Sequence, residues 1–382
     1  MKKIAIVTNH LTPYRRFFYD KLYQKCRDKG YSFNVFLMTK CEPKRNWDYE
    51  SLKTEYSHLM KDFHITFPIN NHINLGVKKE LKQLKPDIVI MAGSYMYITN
   101  WIVCKLKKKL RFKLLYWNEA HFNEIRNYNK LIIKIRNYIR KIFFKKIDGF
   151  WFSGQMSLNF CKRYSFGLKD YFFLPNLVDN EIYSKPYNIN KQKRIELCNK
   201  WNIKKKVILI PARLSKEKAI DKFLYLVKKC KGIGKYTILV PGTGDYKPII
   251  EQAIEKTRLD VRLLGFQQQN EMSELFSIAD ILVLPSLSDP NPLTCLEALW
   301  GGIHLILSKH VGNYPEVIDN NGCVFDYEDE KKSIIMIEEV LLADDKWFEN
   351  AKLKSREIAK KIFEPNQATE RVLNEMSYKY FS

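Results

Sequence analysis

Three segments of this 382-residue chain carry side chains suited to a charged, hydroxylated ligand. The first, Pro211-Ala-Arg213-Leu-Ser-Lys216-Glu-Lys218, follows an apolar run and opens a helical pattern. A helix start favours an anion, because its first N–H groups are unpaired and the dipole is positive there. Arg213 and Lys218 would add a clamp for a diphosphate; a solvated helix start is the plain alternative. The second, Pro241-Gly242-Thr-Gly244-Asp-Tyr, permits a tight strand-to-helix turn and close approach of a ligand. Counted from Gly242, its sixth position is Lys247, which departs from the dinucleotide-binding fingerprint. The third runs Pro285-Ser-Leu-Ser-Asp289-Pro-Asn291-Pro292-Leu293-Thr294-Cys-Leu-Glu297. Asp289 falls in a loop and Glu297 eight positions on, in the first turn of a helix beginning near Thr294. Read locally, Thr294-x-x-Glu297 is a capping box, in which the Glu serves only the backbone.

These segments need a scaffold, and the hydrophobic pattern supplies one. Short apolar runs at Ile4–Val7, Phe33–Leu37, Asp87–Ala92, Lys113–Tyr116, Gly149–Phe152 and Tyr171–Leu174 alternate with helix-length stretches such as Arg15–Arg27, Gly76–Leu84 and Leu131–Lys145. The runs do not alternate apolar with polar, so they fit strands covered on both faces. The pattern weakens between Val178 and Lys206. It restarts at Val207–Ile210, Tyr236–Val240, Val261–Leu264, Ile281–Leu284 and His304–Leu307. One echo links the halves: Ile147-Asp-Gly-Phe-Trp-Phe-Ser against Ala279-Asp-Ile-Leu-Val-Leu-Pro-Ser. Repeated β-then-α units of this kind predict two doubly wound α/β domains. The boundaries are 1–180, 181–364, and a helical tail 365–382 crossing back to the first domain. Ligands in such sheets bind beyond the carboxyl ends of the strands, which makes the interdomain cleft the default site.

The third segment resembles the Glu-x7-Glu region of retaining, nucleotide-sugar-dependent glycosyltransferases of family 4, also called group 1, which have the GT-B fold. Other segments match in order. Arg213…Lys218 resembles the family's diphosphate site and Pro241-Gly-Thr-Gly its glycine turn. Leu264-Gly-Phe266 resembles the strand end near the base, Pro175-Asn-Leu-Val-Asp179 the junction segment, and Val311-Gly-Asn-Tyr-Pro-Glu316 the Gly-x-x-Glu segment. The match is strong over about residues 175–325. The resemblance implies that Arg213 and Lys218 bind the donor diphosphate and stabilise the departing nucleotide. It implies that Glu297 binds the ribose, that Asp289 contacts the transferred sugar, and that Asn291, Leu293 and Thr294 line the sugar pocket. Gly242, Gly244 and Phe266 complete the donor site. Two departures stand out: Asp289 is one methylene shorter than Glu, and Pro292 cannot donate a backbone hydrogen bond. In the first half, Asn9-His10-Leu-Thr12-Pro13-Tyr14-Arg15 would face the cleft while Thr12 caps the following helix and Pro13 takes its first position. A strand-end loop, Tyr116-Trp-Asn-Glu119-Ala-His121, offers His121 and Glu119 beside Asp289 as catalytic candidates, although an isolated His is more often structural.

Composition bounds the partners. Lys and Arg number 65 against 42 Asp and Glu, a formal net charge of +23. That surplus predicts an anionic partner. Fifty of the 65 are Lys, which disfavours base recognition by bidentate Arg, and no nucleic-acid motif occurs. Residues 130–146 hold seven bases and no acid, with Leu131, Ile132, Ile135, Tyr138, Ile139, Ile142 and Phe143 at helical spacing. With Lys105–Arg111 upstream, the span Lys105–Lys146 predicts contact with an anionic membrane surface, the apolar stripe packing inward and the bases facing lipid. Eight scattered Cys without a Cys-x-x-Cys pair point to a reduced compartment. The expected location is the cytoplasm, at the inner face of the membrane. No Asp-x-Asp occurs and no metal or cofactor is implied, the nucleotide-sugar being a substrate. The expected activity is transfer of a hexosyl or N-acetylhexosaminyl unit from a nucleotide-sugar, a UDP-sugar foremost, to a saccharide or lipid-linked saccharide. A GT-B epimerase, a non-catalytic sugar-nucleotide-binding protein and a nucleic-acid-binding protein remain as alternatives.

Overall fold

The computed structural model describes residues 1–41, 48–61, 63–65, 71–123 and 129–381. The chain divides into two units: residues 1–120, 127–176 and 365–382 form one, residues 121–126 and 177–364 the other.

Among the described residues the first unit holds nine strands: β1 (Lys3–Thr8), β2 (Ser32–Leu37), β3 (Ser57–Leu59), β4 (Phe63–Ile65), β5 (Asn71–Ile73), β6 (Ile88–Met91), β7 (Lys113–Asn118), β8 (Gly149–Phe152) and β9 (Asp170–Phe173). Seven form one parallel sheet in the order β3-β2-β1-β6-β7-β8-β9, while β4 and β5 pair antiparallel on their own. The four residues of β6 and five of six in β1 are buried, as two-sided coverage by helices requires. The helix Pro365–Tyr380 belongs to this unit, where Trp151 Nε1 donates to Met376 Sδ (3.0 Å) and Tyr380 Oη to Asp170 (2.7 Å).

Among the described residues the second unit holds six strands: β10 (Lys206–Leu209), β11 (Tyr236–Pro241), β12 (Val261–Gly265), β13 (Ile281–Leu284), β14 (His304–Ser308) and β15 (Gly322–Phe325). All are parallel, in the order β12-β11-β10-β13-β14-β15. Both sheets reverse their winding direction once, between β1 and β6 and between β10 and β13. Such switch points leave a crevice at the carboxyl ends of the strands.

The echo between the halves has a structural cause. Asp148 accepts the N–H of Leu114 at the start of β7 (2.8 Å), and Asp280 accepts that of Val207 (2.7 Å). Each carboxylate pins the start of the neighbouring strand and pairs with a base, Lys107 or Arg194.

Three features differ from the sequence pattern. Strands β3, β4 and β5 are three residues long with at most two apolar positions each, too little to announce themselves, and β15 is a further strand that the pattern did not mark. The weak stretch after Val178 holds two helices, Asn180–Tyr183 and Lys191–Lys200, started by Asp179 and Asn190 as side-chain caps. Most important, the helix Lys130–Lys145 does not turn its apolar stripe inward. Phe143 and Phe144 are buried, whereas Leu131, Ile132, Ile135, Tyr138 and Ile142 are exposed. Residues 124–128 of the basic span lie outside the described residues.

Candidate functional site

In the second unit the chemistry collects at the β10–β13 switch point. The loop after β10 carries Arg213 and a single 3₁₀ turn, Lys216–Lys218. The loop after β13 carries Asp289. Because β10 and β13 are hydrogen-bonded neighbours, these loops emerge side by side. Leu287 N–H donates to the Glu217 carbonyl (2.8 Å), and Lys218 Nζ meets Asp289 Oδ2 at 2.5 Å. The two segments singled out as cation site and acid site thus close on each other. Arg213 is exposed and pairs with Glu217 across one turn (2.6 Å).

The glycine turn supports that loop from below. Gly242 and Gly244 have φ of 143° and 159°, and a Cβ on either would stand 1.9 Å from the Ala212 carbonyl oxygen or 2.1 Å from that of Leu214. The turn packs backbone on backbone against the Arg213 loop, through Ala212 N–H to Pro241 O (3.2 Å) and Leu214 N–H to Thr243 O (2.9 Å). Phe266, after β12, is exposed.

The helix Leu293–Gly301 begins with Pro292 at its N-cap and no side-chain cap. The capping box is therefore corrected: Thr294 lies inside the first turn, and Glu297 one turn further along accepts a hydrogen bond from the Tyr183 hydroxyl instead. Desolvation raises the Glu297 pKa to about 7, opposed by that hydrogen bond. Burial and the Glu297 carboxylate together raise the Tyr183 phenol. The uncapped helix start is flanked by Asn291, Leu293 and Thr294, all half-buried.

A third loop, 308–313, laces the site together. Gly312 N–H donates to Asp289 O (2.8 Å), Asp289 N–H to His310 O (3.3 Å), and Asn313 Nδ2 to Pro292 O (3.0 Å). A Cβ on Gly312 would stand 1.9 Å from the Pro290 carbonyl oxygen and 2.6 Å from His121 Cδ2. His121 is buried against this loop, and Asn123 extends the seam by donating to Lys309 O (3.2 Å). Asn123 N–H also donates to His121 Nδ1 (3.2 Å), which puts the proton of the neutral ring on Nε2. Tyr183, His310, Asn313 and Asn123 were not singled out in the sequence. Only Asn313 had an advance signal, its place in the Val311–Glu316 segment.

The first unit brings other candidates together. Thr12 caps the helix Pro13–Asp28, accepting the Arg15 N–H (3.3 Å), with Pro13 at the first turn. Arg15 reaches Glu119 Oε1 (2.7 Å) and lies 3.8 Å from the Trp117 ring centroid. Burial disfavours the guanidinium charge, but Glu119, Tyr19 and Tyr14 together outweigh it and the Arg15 pKa is raised. Glu119 is therefore held in an ion pair. His10 is buried and Tyr14 half-buried beside this helix start. Among the described residues no group of three or more His, Cys, Asp or Glu could hold a metal ion.

Residues 193–357 match the family described as glycosyl transferases group 1. The amylovoran biosynthesis glycosyltransferase AmsK of Erwinia amylovora is 33% identical over 125 residues, 30% of each chain. The alpha-monoglucosyldiacylglycerol synthase of Acholeplasma laidlawii is 26% identical over 167 residues, 41% of each chain. The matched stretch is thus well under half the length of these relatives. Likeness of fold extends over the whole chain: Anabaena HepE in complex with UDP-glucose superposes with a TM-score of 0.72 at 14% identity, covering 99% of this chain and 100% of that one. The fold is GT-B, two Rossmann-like units.

Proposed function

We propose that this chain, a GT-B protein whose C-terminal unit carries the group 1 glycosyltransferase match, is a retaining glycosyltransferase. It moves a hexosyl or N-acetylhexosaminyl unit from a nucleotide-diphosphate sugar, a UDP-sugar first, to a saccharide or lipid-linked saccharide of a cell-surface polysaccharide. The observation that carries this reading is the meeting of Lys218 with Asp289 at a switch point beside an uncapped helix start. A cation, a helix dipole and a hydroxyl-accepting carboxylate in one crevice suit a sugar joined to a diphosphate.

The roles follow from chemistry. Lys218 and Arg213, with the N–H groups of Leu293 and Thr294, take the charge that builds on the leaving diphosphate as its bond to the sugar breaks. Asp289 accepts from a hydroxyl of the transferred sugar. Glu297 accepts from the ribose, a role that needs its ionised form. His121 Nε2–H donates to the sugar. Glu119, tied to Arg15, acts in positioning the acceptor side of the first unit with His10, Thr12 and Tyr14. The two relatives with short local matches are named for amylovoran biosynthesis and for making a monoglucosyldiacylglycerol, and the second name supports an acceptor at the membrane. No helix among the described residues is long and apolar enough to cross a membrane, and a peripheral position on the inner face fits that acceptor.

The test is nucleotide release from a panel of UDP- and GDP-sugars by wild type, Arg213→Ala and Lys218→Ala. Both substitutions should lower turnover at least tenfold, since each removes one charge from the leaving group. Unimpaired turnover in both would remove the diphosphate site from the crevice.

A further inference from the structure

The helix Lys130–Lys145 turns an apolar ridge away from its own unit. Leu131, Ile135, Tyr138 and Ile142 fall at i, i+4, i+7 and i+11, one face of the helix, and are 64, 50, 67 and 37% exposed. Lys130, Lys134, Lys141 and Lys145 run beside that ridge at i, i+4, i+11 and i+15, all exposed. Among the described residues no acidic side chain pairs with any of these four. No Asp or Glu occurs from 130 to 147.

The opposite face explains why the ridge stays outside. Phe143 and Phe144 are buried in the core of the unit. The Arg140 guanidinium lies 4.8, 4.8 and 4.7 Å from the ring centroids of Tyr95, Phe160 and Tyr164. These contacts fix the helix by its inner face and leave the ridge bare. Lys107 Nζ donates to the Lys146 carbonyl (2.9 Å), so the basic end of the helix Ile98–Leu110 lies against this helix end. It adds the exposed Lys105, Lys108, Lys109 and Arg111.

We propose that this ridge and its lysine row form a docking face for an anionic membrane surface. The apolar side chains enter the boundary below the headgroups, and the lysines lie against lipid phosphates. The charge selects this occupant. A second copy of the chain would bring one unpaired lysine row against another, in a protein of net charge +23. The proposal rests on the glycosyltransferase reading only for its use, which is to hold the enzyme where a lipid-linked acceptor lies.

The full chain is sedimented with vesicles of phosphatidylcholine alone, and with phosphatidylglycerol added, at low and high salt. Wild type should bind the anionic vesicles at low salt, leave them at high salt and ignore the neutral ones. Lys134→Glu with Lys141→Glu should lower partition at least about 25-fold, at about fivefold per lysine. Ile135→Asp with Tyr138→Ser should lower it at least about tenfold. UDP binding, measured in solution alongside, should be unchanged in both pairs. Equal partition of wild type onto both vesicle types, absence of binding to either, or unchanged partition in either pair would overturn the proposal. So would a wild-type dimer, seen by light scattering, that Ile135→Asp splits. A wild type that docks but binds no sugar nucleotide would overturn the glycosyltransferase reading and leave this proposal standing.

Discussion

Replacing Asp289 by Asn should tighten nucleotide binding while slowing transfer. Lys218 and Asp289 meet at 2.5 Å with only 22 and 15% of their side chains exposed. At about 4 Å between charge centres and an effective dielectric of about 20, their attraction is about 4 kcal/mol. Desolvation of both groups and the remaining water contact reduce the net coupling to about 1–2 kcal/mol. An incoming diphosphate must take Lys218 from that partner, so the coupling opposes donor binding. Asp289→Asn removes the competing charge at nearly constant shape. UDP affinity, measured by calorimetry, should rise about 5- to 30-fold, while turnover with the preferred UDP-sugar falls because a sugar hydroxyl loses its carboxylate. In a Lys218→Ala background the same substitution should change UDP affinity little, because the pair no longer exists. Unchanged or weaker UDP binding in Asp289→Asn alone would refute the competition.

Glu297, held near pKa 7 by desolvation, binds a proton in the folded state between about 4.5 and 7 that the unfolded chain has released. Stability of the second unit should therefore fall as pH rises through that window; Glu297→Gln should abolish the slope and gain about 2–3 kcal/mol at pH 8, read from melts at pH 5 and 8. The ribose role proposed for Glu297 needs its carboxylate form, so UDP binding by wild type should strengthen over the same interval, and a flat profile would contradict that role. Gly312→Ala places a methyl 1.9 Å from the Pro290 oxygen and against His121; it should cost about 1–3 kcal/mol and lower turnover, and a variant with wild-type activity would detach the 308–313 loop from the site.

The parallel strands were legible because both faces of each sheet are covered, so runs such as Ile88–Met91 and Ile281–Leu284 are continuously apolar. The edge strand β3, Ser57–Leu59, has an exposed His and Leu and carries no such signal. At the site, Arg213, Lys218, Asp289 and Glu297 were legible as spaced residue types. Their partners were not. Lys218 and Asp289 are 71 positions apart and Arg15 and Glu119 are 104 apart, so the fold alone joins them. Thr294-x-x-Glu297 misled because a capping box is a local pattern, and Pro292 displaces the helix start by two residues, freeing Glu297 to meet Tyr183. The basic helix misled differently. Its sequence offers two apolar sides, one with Leu131 and Ile135 and one with Phe143 and Phe144. Periodicity alone does not say which of them the unit buries.

The two switch-point loops solve one problem in the same way. In the first unit the loop after β1 leads into a helix bearing Arg15, held by Glu119 from the end of β7. In the second, the loop after β10 leads to Lys218, held by Asp289 from beyond the end of β13. A cation kept half out of water with no counter-ion would be costly. The carboxylate offsets that cost and aims the cation. In the second unit a helix start whose N-cap, Pro292, supplies no side-chain cap lies beside the pair, so an arriving diphosphate finds a second positive end there. The first unit's pair has Trp117 against the guanidinium instead, 3.8 Å from the ring centroid, which leaves the arginine better satisfied. One arrangement thus leaves its cation ready for exchange and the other holds it in place, which agrees with the diphosphate role proposed for Lys218.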